Sequence, residues 1–323
     1  MRRREFIALF GGVALWPLAA RAQEPGRIYR LGSLFGAPRG APLHIAFFEG
    51  LRRFGFIEGQ NLVADPHGYG LRAEQLADHA SEVAKVGVDV IVCSGDAAIR
   101  AAQQATKTIP ILAATDDMIG SRFAGSLAKP DGNVTGVSML SDELNGKRQE
   151  ILMEVLPGVR RMAALDDVRT HSPQRLQILQ DAARARGVEL SVYQVAKPEE
   201  IAGAIEVANS AGAAALNVLG SLLLFSNRKI IFGSVAKLSL PAIYQSPEMA
   251  EVDGFIAYGP SLMKIYRDML PRQLAALLRG AKVSDVPVEQ PTEFELAINL
   301  RTAKALGLSI PEAFLLRADK VIE

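Results

Sequence analysis

The chain has 323 residues, of which 49% are hydrophobic and 22% charged, and 36 basic side chains against 35 acidic ones give a formal charge of +1. This is a soluble globular composition, which excludes disordered and fibrous chains, and the length suggests two domains, each able to bury its own core. The near-zero charge offers no basic face for nucleic acid, and the single Cys93 with four scattered histidines excludes an internal disulfide and the familiar Cys/His zinc arrangements.

Three arginines open the chain within Met1 to Glu5, Ile7 to Ala20 is uncharged and largely apolar, and Ala20-Arg21-Ala22 is a small-x-small cleavage pattern. This reads as an export signal, residues 1–22. The apolar run falls short of the ~18 residues a spanning helix needs, and Gly11-Gly12 and Pro17 interrupt it. Arg3-Arg4-Glu5-Phe6 also fits the twin-arginine pattern, so the general and the folded-state export routes both stay open. No cysteine stands at the cleavage point for lipid attachment. The mature chain is therefore expected to be free in the periplasm without a membrane anchor, with 301 residues and 32 basic against 34 acidic side chains, a formal charge of −2.

From Ile28 onward β-rich runs alternate with segments of helical period, the pattern of a parallel sheet flanked by helices. Strands are expected near 28–34, 61–64, 88–93, 110–114 and 133–137, with helices near 42–54, 72–85, 97–105 and 119–127. A second series follows: helix 142–156, strand 162–165, helix 173–186, strand 189–195, helix 199–210, strand 214–219, helix 227–238 and strands 242–244 and 255–258. The long helix 262–279 and the final segment 286–323 extend neither series and are expected to cross between lobes. The reading is an α/β protein of two doubly wound parallel-sheet lobes, 23–138 and 139–258, completed by parts of 259–285 and 286–323 respectively. In such sheets ligands bind beyond the strand carboxyl ends, so the crevice between the lobes is the place to look for function.

The motifs that carry chemistry elsewhere are weak here. Gly68-Tyr69-Gly70-Leu71-Arg72-Ala73 matches G-x-G-x-x-A but follows a short strand broken by Asp65-Pro66, and reads as a strand-to-helix loop. No G-x-x-x-x-G-K-[ST] loop is present, and His44, His67, His79 and His171 form no metal or catalytic pattern and read as solvated or packing residues. Cys93 reads as a small buried hydrophobe. What stands out is a recurrence of small hydroxyls and carboxylates at strand ends: Ser94-Gly95-Asp96, Thr115-Asp116-Asp117, Ser138, Asp166-Asp167 and Leu219-Gly220-Ser221. Singly they are expected helix caps; together they could hydrogen-bond a polar ligand from both lobes.

Phe48-Glu49-Gly50-Leu51-Arg52, Gly55-Phe56-Ile57-Glu58-Gly59-Gln60-Asn61, Gly132-Asn133-Val134-Thr135-Gly136-Val137-Ser138 and Leu240-Pro241-Ala242-Ile243-Tyr244 carry a resemblance. It continues through Tyr258-Gly259-Pro260-Ser261, Gln290-Pro291-Thr292-Glu293-Phe294-Glu295-Leu296, Ala303-Lys304-Ala305-Leu306-Gly307-Leu308 and the ending Arg317-Ala318-Asp319-Lys320-Val321-Ile322-Glu323. The chain resembles the tryptophan/tyrosine-type ABC-transporter substrate-binding proteins, which have the type I periplasmic binding fold. The resemblance implies a hinged interlobe cleft that captures a small molecule without turnover or cofactor and delivers it to a membrane permease driven by a separate ATPase. It also implies that Ser33, Ser94, Asp96, Asp117, Ser138, Asp167, Ser221, Tyr244, Tyr258 and Ser261 line the cleft.

The chain departs from its relatives at Gly95-Asp96-Ala97, where Gly-Thr-Pro or Gly-Ser-Pro is common, at Ser221-Leu222 in place of Asp-Pro, and at Asp117-Met118 in place of Asp-Pro-Val. An acid at a helix amino terminus repels a ligand carboxylate there, so cationic, amide and polyhydroxylated ligands stand beside amino acids. Two other readings remain open: a sensor that presents its loaded form to a membrane receptor, and an exported enzyme using Asp96, Asp117 or Asp167 as acid or base.

Overall fold

The computed structural model describes residues 26–323, and the expected export signal lies outside them. The first lobe runs β1 (Tyr29–Leu34), α1 (Pro42–Arg53), β2 (Leu62–Ala64), α2 (Leu76–Val86), β3 (Val90–Ser94), α3 (Asp96–Ala105), β4 (Ile111–Thr115) and β5 (Val134–Ser138). Its strands are parallel in the order β2-β1-β3-β4-β5. Strands covered on both faces read as unbroken apolar runs, and Val90-Ile91-Val92-Cys93 is one. Val90 and Val92 turn to the core shared with Phe47 and Leu51 of α1, while Ile91 and Cys93 turn to Ala80 and Val83 of α2 and Ile99 of α3. Gly136 in β5 has φ +140°, and a Cβ there would lie 1.8 Å from the Ala113 carbonyl oxygen, so only glycine lets β5 pair closely with β4.

The second lobe runs α4 (Ser141–Val155), β6 (Arg161–Asp167), α5 (Pro173–Arg184), β7 (Glu189–Val195), α6 (Ile201–Ser210), β8 (Leu216–Val218), α7 (Leu222–Ser226), α8 (Arg228–Lys237), β9 (Ala242–Tyr244), α9 (Pro247–Val252) and β10 (Ile256–Gly259). After α10 (Leu262–Lys264) and α11 (Leu270–Leu278) come β11 (Glu295–Asn299), α12 (Leu300–Ala305), α13 (Glu312–Leu315) and β12 (Lys320–Ile322). The second sheet has the order β12-β11-β10-β9-β8-β6-β7. Residues of α4 and α5 pack with Met162, Ala164 and Ile243 on one face, and residues of α6, α8 and α9 with Ala163, Leu165 and Tyr244 on the other.

Three differences from the sequence reading have physical causes. The helix expected over 119–127 does not form. Gly120 and Gly125 weaken it, and Asp117 and Asp131 accept hydrogen bonds from their backbone N–H groups, at 2.8 Å each, in turns that compete with a helix. The expected helix 262–279 is helical over 262–278 but carries a π turn, Ile265–Met269, between α10 and α11. Finally, β11 runs antiparallel to β10, so the second sheet is mixed, its other described pairs being parallel.

The chain passes between the sheets three times. It leaves the first after Ser138, returns after Gly259 to α10 and α11, which pack on α1, and leaves again after Glu289 towards β11. Before that last crossing Glu289 pairs with β5, its carbonyl accepting from Ser138 N and its N–H donating to Gly136 O, both at 2.9 Å. These crossings make the lobes hinged neighbours, with the strand carboxyl ends turned towards the crevice. Among the described residues no helix is long and apolar enough to cross a membrane.

Candidate ligand-binding cleft

In the first lobe the expected side chains sit at the carboxyl ends of the strands with partners already engaged. Ser33 Oγ donates to the Tyr69 hydroxyl at 3.1 Å, and the Ser94 side chain lies beside the buried Tyr266 hydroxyl. Asp96 accepts from Thr115 Oγ1 at 2.5 Å and Ser121 Oγ at 2.7 Å, so the carboxylate at the start of α3 is held inside its own lobe. Ser138 Oγ accepts from Met118 N at 3.1 Å. Behind these groups Phe35 stacks on Tyr69, and the buried His44 packs against both rings. Its Nδ1 lies 2.9 Å from the Pro38 carbonyl, and burial, with the nearby Arg39 charge, lowers its pKa despite that hydrogen bond.

The G-x-G-x-x-A segment serves this wall and not a nucleotide motif: Gly68 O accepts from Phe35 N at 2.9 Å, and Tyr69 bridges to Phe35 beside β1.

The second lobe contributes a buried polar network. Asn145 and Arg148 of α4 lie on its inner stripe with Ile151, Leu152 and Val155. Arg148 donates to Asn145 Oδ1 at 2.5 Å and to the Tyr258 carbonyl at 3.1 Å. Burial pushes its guanidinium pKa down to about 10, with the field of Asp116 from the first lobe acting the other way. Asn145 Oδ1 also accepts from Gly220 N, which turns its amide towards His171 Nε2 at 2.9 Å and leaves Nδ1 of His171 to meet Asp166 at 2.6 Å. Gln194 Nε2 donates to the other oxygen of Asp166.

Beside this network Asp167 accepts from Ser221 Oγ at 3.0 Å and from the Arg169 backbone and guanidinium. The Ser221 hydroxyl accepts in turn from Leu223 N and Leu224 N, capping α7. Tyr258 is half-buried and tilted towards Phe294. Ser261 Oγ donates to Glu248 at 2.6 Å and caps α10 at the second crossing, two residues beyond the end of β10. Tyr244 is a correction: its ring is 1% exposed, edge-on to Phe232 in the core under α8, and does not line the cleft. The alternation of a strand turns it away from the crevice.

The lobes touch across the crevice. Arg175 Nη2 at the start of α5 lies 2.8 Å from Asp117 Oδ2 at the end of β4. A Cβ at Gly95 would meet Leu222 of the opposite lobe at 2.9 Å, and Lys197 acts electrostatically on Glu74 from across the gap. Across the crevice Asp117 thus meets Arg175, and Gly95, beside Asp96, meets Leu222, beside Ser221. The sequence reading did not select Asn145, Arg148, Arg175, Tyr69 or Tyr266. The buried stripe of α4 is the one signal that marks Arg148. Among the described residues no group of three or more His, Cys, Asp or Glu side chains is arranged to hold a metal ion.

Two α/β lobes joined by three crossings, with polar strand ends meeting over a crevice, define a type I periplasmic binding fold. Residues 44–322 match the family described as ABC transporter substrate binding protein, and the chain belongs to that family. It is 26% identical over 273 residues to a tyrosine-binding protein of Clostridioides difficile strain R20291, covering 81% of this chain and 75% of the relative. Its fold is similar to that of a Streptococcus pneumonia ABC domain in complex with L-Trp, with a TM-score of 0.78 and 24% identity, over 92% of this chain and 100% of that one. A conserved domain protein of Vibrio cholerae gives a TM-score of 0.80 at 23% identity, over 91% of this chain and 99% of that one.

Proposed function

We propose that the chain is the exported binding component of an ABC-type uptake system, capturing a small polar molecule between its lobes and delivering it to a membrane permease coupled to a separate ATPase. The observation that carries this reading is the meeting of polar strand ends from two hinged lobes, in a chain of the ABC substrate-binding family. Ligand contacts to both lobes favour the closed form, which the permease would recognise. The relative named for tyrosine and the neighbour holding L-Trp support an amino acid or related compound as the ligand. The leader pattern of residues 1–22 supports export to the periplasm. No side chain of the cleft is assigned a catalytic step, and the reading predicts binding without turnover.

A thermal-shift screen of residues 23–323 against amino acids, amines, amides, purines, sugars and aromatic acids tests this. A ligand at ~100 times its dissociation constant adds about 2.7 kcal/mol and raises the melting temperature by several degrees. A shift confined to one chemical class, with the compound recovered unchanged, is the expected result. Steady conversion of a bound compound would overturn it.

A further inference from the structure

The ion pair between Asp117 and Arg175 joins residues 58 positions apart and, more to the point, on opposite lobes. We infer that it is a built-in closing latch of the cleft, which rests on reading that cleft as the ligand site. Both partners belong to the protein, so the pair favours closing independently of any ligand, and a ligand must enter while this contact is parted.

Three local features hold the pair in place. Asp117 Oδ1 accepts from Ile119 N at 3.1 Å and Gly120 N at 2.8 Å, which fixes the carboxylate and leaves Oδ2 directed at Arg175. Gly120 makes the room: a Cβ there would lie 2.1 Å from Asp117 Oδ2 and 3.3 Å from Arg175 Nη2. Arg175 stands in the first turn of α5, three residues after its cap Ser172, in a turn that holds no acid. A cation is electrostatically unfavourable at that end of a helix, and Asp117 of the other lobe offsets the mismatch. The side chains are 37% and 27% exposed, so the latch is screened by salt and modest in strength. It biases the open–closed equilibrium by about two- to fivefold and does not lock it.

The experiment is single-molecule energy transfer on the mature chain, with dyes at Lys107→Cys and Lys237→Cys, one per lobe, in the absence of added ligand. Arg175→Gln and Gly120→Ala should each lower the closed-to-open ratio about two- to fivefold, the second while keeping both charges. Arg175→Lys should restore part of the loss, and added NaCl should open the parent protein but not Arg175→Gln. Identical closed fractions in the parent and both variants would overturn the latch. Titration with L-tyrosine and L-tryptophan separates the two readings: ligand-driven closure with no effect of the variants removes the latch alone, and a variant effect without closure by any compound class leaves the latch and removes the ligand reading.

Discussion

Arg148 of α4 donates to the backbone carbonyl of Tyr258, 3.1 Å away at the end of β10, where the chain turns towards its second crossing between the lobes. The same guanidinium holds Asn145, which holds Gly220 N and His171, so one buried cation organises the strand ends of the second lobe. A buried charge of this kind is costly unless every partner is satisfied, and removing it exposes those partners' cost.

Arg148→Met should therefore destabilise the protein by about 2–4 kcal/mol. Calorimetry should show a melting temperature lower by roughly 4–12 °C. A change within about 2 °C would mean the network is dispensable to the fold.

Alkaline stability is expected to depend on Tyr266. Burial pushes its phenol up to about 12, with the nearby Ser94 hydroxyl acting the other way. Between the ordinary tyrosine value near 10 and that raised value, the unfolded chain releases a proton that the native state keeps. Stability is thus intact below about pH 10 and falls above it, by about 1.4 kcal/mol per pH unit per phenol. Tyr266→Phe should flatten this slope in denaturant melts taken at stepped pH. Part of the slope should remain, because burial also raises the phenols of Tyr69 and Tyr244.

On the acid side the sign reverses. Burial favours neutral His44 in the native state, whereas the unfolded chain binds a proton below about pH 6.5, so stability falls as pH drops through that value. His44→Asn keeps a donor for the Pro38 carbonyl and removes the titration. The difference between parent and variant melts should narrow from pH 7 to about pH 5. A constant difference would show that His44 does not couple to folding.

Cys93 is 1% exposed at the end of β3, and burial raises its thiol well above the ordinary range. A thiol reagent should leave the native protein unmodified and label it once per chain in denaturant. Rapid labelling of native protein would place the thiol at an accessible edge of the cleft.

Most strands and helices were legible because their signals are local. A strand buried on both faces is a short, largely apolar run such as Val90–Ser94 or Ile111–Thr115, and Ser172-Pro173 announces α5 by its cap and its first-turn proline. Segment 119–127 misled because its apolar residues suggest a helix, while the deciding hydrogen bonds come from Asp117 and from Asp131, which lies beyond the segment. The small hydroxyls and carboxylates at the strand ends were visible for the same local reason: each closes a strand or follows it within three residues.

By itself the sequence determined the two α/β series, the polar strand ends and the family resemblance, since each depends on neighbours along the chain. Only the tertiary structure decided which ends meet. Asp117 finds Arg175, Asp167 finds Ser221 and Ser94 comes beside Tyr266 through lobe packing and crossings that no local pattern records. It also turned Tyr244 into the core and Arg148 towards the network, because the face on which a side chain emerges is set by how its whole element is buried.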